Sequence, residues 1–151
     1  MQQSLASFRG SYDHTLDAKS RLSVPARYRA ALGAGGVLAM PVDQRPCVGV
    51  WTPEGYERYT SARLEGLPAL SEHRADLERY FYGNSQEVSL DAAGRIMIPG
   101  FLAEQAGLSR ELTVVGAGER LELWDRDGWK AAQPALREGV SQLTKRADDA
   151  A

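Results

Sequence analysis

Leu16-Asp17-Ala18-Lys19-Ser20-Arg21-Leu22-Ser23-Val24-Pro25 is written twice in this chain. The second copy is Leu90-Asp91-Ala92-Ala93-Gly94-Arg95-Ile96-Met97-Ile98-Pro99, at a constant offset of 74 residues. Leu, Asp, Ala, Arg and Pro recur identically, and Leu22/Ile96 and Val24/Ile98 are conservative pairs. The register runs on to Leu32-Gly33 and Ala106-Gly107. It then slips by one, so that Val50-Trp51-Thr52-Pro53 matches Leu123-Trp124-Asp125-Arg126. Repetition at fixed spacing outranks local propensity, because each copy must be the same supersecondary unit.

Within the unit, Asp opens a turn by bonding a backbone N–H two residues on. Gly94 suits a position with φ > 0, where Ser20 of copy one is less comfortable. The apolar-x-apolar stretch is a short strand stopped by Pro25 or Pro99, each at the first turn of a short helix. These helices are expected over Ala26–Leu32 and Gly100–Ala106, closed by Gly33 and Gly107. Asp and Arg four apart are placed to pair, and Asp17 and Asp91 with Arg95 read as a structural motif that holds the turn.

Outward from the repeats, Phe8 to Leu16 alternates as a half-buried strand. Val37–Met40 and Cys47–Trp51 make a hairpin around Asp43–Pro46. Thr52, Pro53 and Glu54 are an N-cap, a helix-start proline and an acidic first turn, and that helix runs to about Leu64. A break at Gly66–Leu70 precedes a helix from Ser71 to about Tyr82, with Leu70, Arg74, Leu77 and Phe81 on one side. Arg74 and Arg79 read as a solvated face, or as a hold on a second subunit. Copy two continues with strands at Glu87–Leu90 and Ile96–Ile98, then a hairpin of Leu112–Val115 and Leu121–Trp124. Asp125 caps a last helix over about 127–143, followed by a frayed tail at 145–151. Met1 to Ser7 is expected to be a disordered lead-in.

Composition bounds the function. A chain of 151 residues buries a sizeable core in one domain over residues 1–151. The repeats span about 8–65 and 83–143, with a linking helical segment at about 66–82. No apolar run approaches the ~20 residues of a membrane span, so no membrane partner is expected. The single cysteine, Cys47, excludes an internal disulfide and reads as a buried small hydrophobe in a cytoplasmic protein. His14 and His73 have no second ligand at metal spacing, so neither metal nor cofactor is expected. Gly116-Ala117-Gly118 precedes a strand rather than a helix and is no phosphate loop. No nucleophile–base or paired-carboxylate set clusters on a motif, so no enzyme and no small-molecule substrate are expected. Net charge is −2, yet residues 8–36 carry Arg9, Lys19, Arg21, Arg27 and Arg29 against Asp13 and Asp17, a local charge of +3. A basic face on an acidic body, displayed in several copies, is an electrostatic footprint for phosphate.

Two Asp-x-x-x-Arg motifs in register, with Phe8-Arg9-Gly10-Ser11-Tyr12-Asp13-His14-Thr15-Leu16 before them and Leu121-Glu122-Leu123-Trp124-Asp125 after, resemble the MraZ family of bacterial transcriptional regulators. The resemblance covers roughly residues 8 to 140. It implies an α+β fold: a pseudo-two-fold small β-barrel from two AbrB-like β-α-β repeats with peripheral helices. It also implies a ring-forming homo-oligomer that works on the nucleoid. Such a ring binds repeated boxes in double-stranded DNA upstream of a cell-division and cell-wall gene cluster, as a regulator and repressor. The family has Gly where this chain has Ser20. By the same resemblance the loop arginine and a helix arginine meet DNA, here Arg21 and Arg29. Copy two has Ala93, Phe101 and Ala103 at the positions of Lys19, Arg27 and Arg29. DNA contact is therefore assigned to copy one, through Lys19, Arg21, Arg27, Arg29 and Arg9. The alternative is a non-enzymatic oligomeric scaffold without specific DNA binding.

Overall fold

The computed structural model describes residues 7–150. The lead-in expected at Met1–Ser7 lies, but for Ser7, outside the described residues. Each copy of the repeat is a β-β-α-β-β unit rather than the shorter β-α-β expected. Copy one is β1 (Ser11–Thr15), β2 (Arg21–Ser23), α1 (Ala26–Arg29), β3 (Gly36–Ala39) and β4 (Cys47–Trp51). Two helices follow, α2 (Pro53–Leu64) and α3 (Glu72–Gly83). Copy two is β5 (Ser85–Val88), β6 (Arg95–Met97), α4 (Gly100–Ala106), β7 (Glu111–Gly116) and β8 (Leu121–Asp125), and α5 (Arg126–Asp149) closes the chain.

The copies exchange strands. Six strands form one antiparallel sheet in the order β1-β7-β8-β4-β3-β5, so the first strand of each copy pairs with the other copy's hairpin. The remaining two, β2 and β6, pair with each other as a separate ribbon. Leu22 faces Ile96 in that ribbon, and Gly49 faces Glu122 where β4 meets β8. Both pairs join equivalent residues of the two copies, which places the pseudo-two-fold axis through them. The sheet has two edges, β1 and β5, so its hydrogen bonding does not close the expected barrel. Closure would need β1 to pair with β5, and these two strands stand at opposite ends of the strand order.

Period-two alternation divides the side chains between two clusters. On one face of the sheet Leu38, Val48, Val50, Leu112, Val114, Leu121 and Leu123 meet Leu22, Val24, Ile96 and Ile98 of the ribbon segment and Tyr28, Leu32 and Leu102 of the short helices. On the other, Val37, Ala39 and Trp51 meet Tyr56, Tyr59, Leu64 and Phe81 from α2 and α3. Thr52 and Ser71 cap these two helices, accepting from the Gly55 and Arg74 N–H groups. Cys47 is fully buried, as expected of a small hydrophobe, and burial pushes its thiol well above the ordinary range.

Several local expectations are corrected. Helix α1 has one turn and ends at Arg29, and the left-handed residue after it is Gly35, not Gly33; in copy two Gly107 does take that role. Strand β5 begins earlier than expected, because its register is set by β3 of the other copy. Leu70 is fully exposed and joins no apolar face. Arg74 is part-exposed, and its guanidinium also donates inward to the Leu64 and Leu67 carbonyls and finishes α2. Arg79 lies on the solvated face expected of it and pairs there with Asp76. Helix α5 continues through the expected frayed tail to Asp149, since Lys145-Arg146-Ala147 are good helix formers.

Candidate nucleic-acid interface

The two Asp-x-x-x-Arg turns have the same geometry. One carboxylate oxygen of Asp17 accepts from the Lys19 and Arg21 backbone N–H groups, each at 2.9 Å. The other accepts from Arg21 Nε at 2.7 Å. In copy two Asp91 accepts from the Ala93 and Arg95 N–H groups and from Arg95 Nε, each at 2.9 Å. The Arg21 backbone N–H, with the guanidinium behind it, holds the Asp17 carboxyl down at about 2. The Arg95 N–H and side chain likewise lower Asp91. Both carboxylates thus stay ionised as acceptors.

Residue four of each turn is left-handed: φ is 58° at Ser20 and 75° at Gly94. Copy one therefore makes the same turn without glycine. The turns are also tied across the axis, for the Val24 N–H donates to the Gly94 carbonyl (3.0 Å) and the Ile98 N–H to that of Ser20 (3.1 Å).

Arg29 separates the two turns. Its Nε donates to the Val24 carbonyl (2.9 Å), and its guanidinium lies over Gly94, where any Cβ would collide with it. The residue equivalent to Arg29 in copy two is Ala103, too short to reach Ser20 in the same way. A side chain at position 94 has to push the arginine aside, and the alanine makes no such demand on Ser20.

These contacts leave a defined surface. The ribbon turns Leu22 and Ile96 into the core and leaves Arg21, Ser23, Arg95 and Met97 on the outer side. Each arginine is held through Nε. The side chains are 25% exposed at Arg21 and 32% at Arg95. Holding a guanidinium by Nε leaves its terminal nitrogens as a fork that matches phosphate or guanine O6/N7. Arg95 also reaches toward Asp17, at 3.8 Å. Lys19, Arg27, Arg29 and Arg9 are exposed. Arg27 stacks on the Tyr28 ring at 4.7 Å, and Tyr28 pins the Arg9 backbone by donating to its carbonyl and accepting from its N–H.

Of the residues named from the sequence, Lys19 and Arg21 stand on the copy-one turn and Arg29 bridges to the copy-two turn. Arg9 and Arg27 meet at Tyr28. The structure also sets Met97 of copy two on this outer side, opposite Arg21. The signal for that placement is the antiparallel matching of two equivalent short strands, Arg21–Ser23 and Arg95–Met97.

A two-stranded antiparallel ribbon with a pair of carboxylate-oriented arginines on its outer side defines a class of protein whose surface suits nucleic acid. The family comparison is more specific. A family model described as "MraZ protein, putative antitoxin-like" matches the chain twice, over residues 7–77 and 81–151. A transcriptional regulator MraZ of Pseudomonas putida (strain W619) is 36% identical over 145 residues, covering 94% of this chain and 95% of that one. One from Heliobacterium modesticaldum is 34% identical over 140 residues, covering 90% and 96%. One from Nitrosomonas europaea is 38% identical over 124 residues, covering 81% and 83%. The chain belongs to the MraZ family, whose named members here are transcriptional regulators and not enzymes. Among the described residues no helix is long and apolar enough to cross a membrane.

Proposed function

We propose that this protein is a sequence-specific, double-stranded-DNA-binding transcriptional repressor. It recognises repeated boxes upstream of a cell-division and cell-wall gene cluster, in the cytoplasm and on the nucleoid. The observation that carries the reading is the paired guanidinium fork of Arg21 and Arg95 on the outer side of the β2–β6 ribbon. A two-stranded ribbon fits the major groove of B-DNA, where arginine reads guanine bidentately. Lys19, Arg27, Arg29 and Arg9 supply phosphate contacts around it.

One ribbon covers few base pairs, and specific affinity needs a larger interface. A homo-oligomeric ring multiplies the face at fixed spacing. The exposed side of α5, with Leu136, Val140 and Leu143, supports self-association. It is also the feature that favours the second reading, an oligomeric scaffold without specific DNA binding.

The test is fluorescence anisotropy with DNA from upstream of the protein's own gene, against a scrambled control, across a salt series. Specific binding that falls steeply with salt is expected. Arg21→Ala is expected to weaken it by about 1–3 kcal/mol with fold and assembly intact. Equal weak binding to both DNAs refutes the reading in favour of the scaffold.

A further inference from the structure

The outer side of the ribbon is nearly two-fold symmetric in charge and asymmetric in one facing pair. Arg21 stands opposite Met97, and Arg95 stands opposite Ser23. Ser23 and Met97 are themselves equivalent positions of the repeat. Met97 is 56% exposed, at a position whose neighbour Ile96 is buried. A large apolar side chain in water beside an arginine gains nothing for the fold. Directly opposed residues of an antiparallel pair have Cβ atoms about 4.5–5.5 Å apart, so whatever meets the Arg21 fork also meets Met97.

In the major groove the thymine C5-methyl is the apolar mark among donor and acceptor groups. A thioether side chain is flexible and polarizable enough to pack on it. We propose that Met97 is a specificity-determining residue that packs against a thymine methyl beside the base or phosphate met by Arg21; this rests on the DNA-binding reading above. Ser23 ends in a hydroxyl and offers only its β-methylene at the equivalent place. The ribbon thus prefers thymine on the Met97 side only, and that gives a pseudo-symmetric protein a direction on DNA.

The experiment uses the full chain and the upstream DNA fragment in two forms, one with thymine and one made with deoxyuridine throughout, which lacks the methyl. Wild type is expected to bind the deoxyuridine form about four-fold more weakly per methyl packed. Met97→Ser is expected to bind the thymine form that much more weakly and to lose the about four-fold share of the preference that the methyl supplies. Met97→Leu keeps the preference. Any effect of uracil on DNA stiffness is common to all three proteins and cancels when their thymine-to-deoxyuridine ratios are compared with one another. Circular-dichroism melting confirms that the exposed substitutions leave the fold unchanged. The proposal is overturned if Met97→Ser keeps the wild-type ratio, or if wild type shows no preference while still separating upstream from scrambled DNA. Failure of wild type to separate those two DNAs overturns the DNA reading itself, and this one with it.

Discussion

Replacing Gly94 by alanine tests the local architecture of the repeat, because two separate effects meet there. Gly94 has φ of 75°, and an L-residue in that region costs about 1–2 kcal/mol. The added Cβ also collides with the guanidinium of Arg29. Arg29 then has to leave, and its bond to the Val24 carbonyl is lost, about 0.5–1.5 kcal/mol for an ordinary hydrogen bond. The sum, about 1.5–3.5 kcal/mol, corresponds to a drop in Tm of roughly 3–14 °C for a chain of this size. Thermal and urea unfolding read it directly. Repeating Gly94→Ala in an Arg29→Ala background removes the second effect and keeps the first, so the two substitutions couple by about 0.5–1.5 kcal/mol. Ser20→Gly is the control: it relieves left-handed strain and loosens the unfolded chain, and the two nearly cancel. If Gly94→Ala costs the same in both backgrounds, Arg29 does not sit over the turn. If it costs nothing in either, the turn is not left-handed.

Three further outcomes are expected. Trp124→Ala removes a buried indole that packs on Trp129 at 5.1 Å and donates from Nε1 to Glu122; a loss of about 3–5 kcal/mol is expected by chemical denaturation, and an unaltered midpoint refutes the burial. Gly49→Ala drives a Cβ into the Trp51 ring, so about 1–3 kcal/mol of overpacking strain is expected, with a changed near-ultraviolet signature of Trp51. The Asp17 and Asp91 carboxyls are both depressed in the folded chain; the Asp17 contribution is full above the ordinary carboxylate range near 4 and is lost as pH falls toward its folded value of about 2, and that of Asp91 is lost in the same direction; Tm measured over that acid range falls less steeply for Asp17→Asn, and parallel curves refute the linkage.

Local chemistry was legible wherever it was self-contained. Thr52-Pro53-Glu54 and Asp125 announce helix starts because a cap is a bond within one turn. The β3–β4 hairpin was legible because its strands are apolar on both faces and bounded by turn residues. Strand β5, half-exposed and polar, was misplaced because only its partner β3 fixes its register. The strand exchange was invisible for the same reason: each copy reads as a self-sufficient unit until β1 is seen on β7 and β5 on β3. Arg29 gave no sign that it covers the other copy's turn. Its sequence neighbours mark it only as a surface cation, read above as a DNA contact, and the Gly94 it covers lies 65 residues away on the chain.

Why one chain should carry the motif twice follows from the residues on the axis. In a dimer of identical single repeats, a residue on a two-fold axis faces its own copy, so Glu122 would face Glu122. That position is only 9% exposed. Two buried carboxylates directly opposed repel, and one of them takes up a proton. In the fused chain the facing residue is Gly49, and the space above it is filled by the Trp51 ring. Glu122 is then free to bind Arg120 at 2.9 Å and to accept from Trp124 Nε1 at 3.0 Å. The same freedom appears at Arg29 with Gly94 against Ala103 with Ser20, and on the ribbon at Met97 against Ser23. Strict symmetry would force each of these pairs to be identical. Fusion keeps the interlocked sheet that symmetry generates and lets the two halves differ where packing, charge or recognition needs a difference.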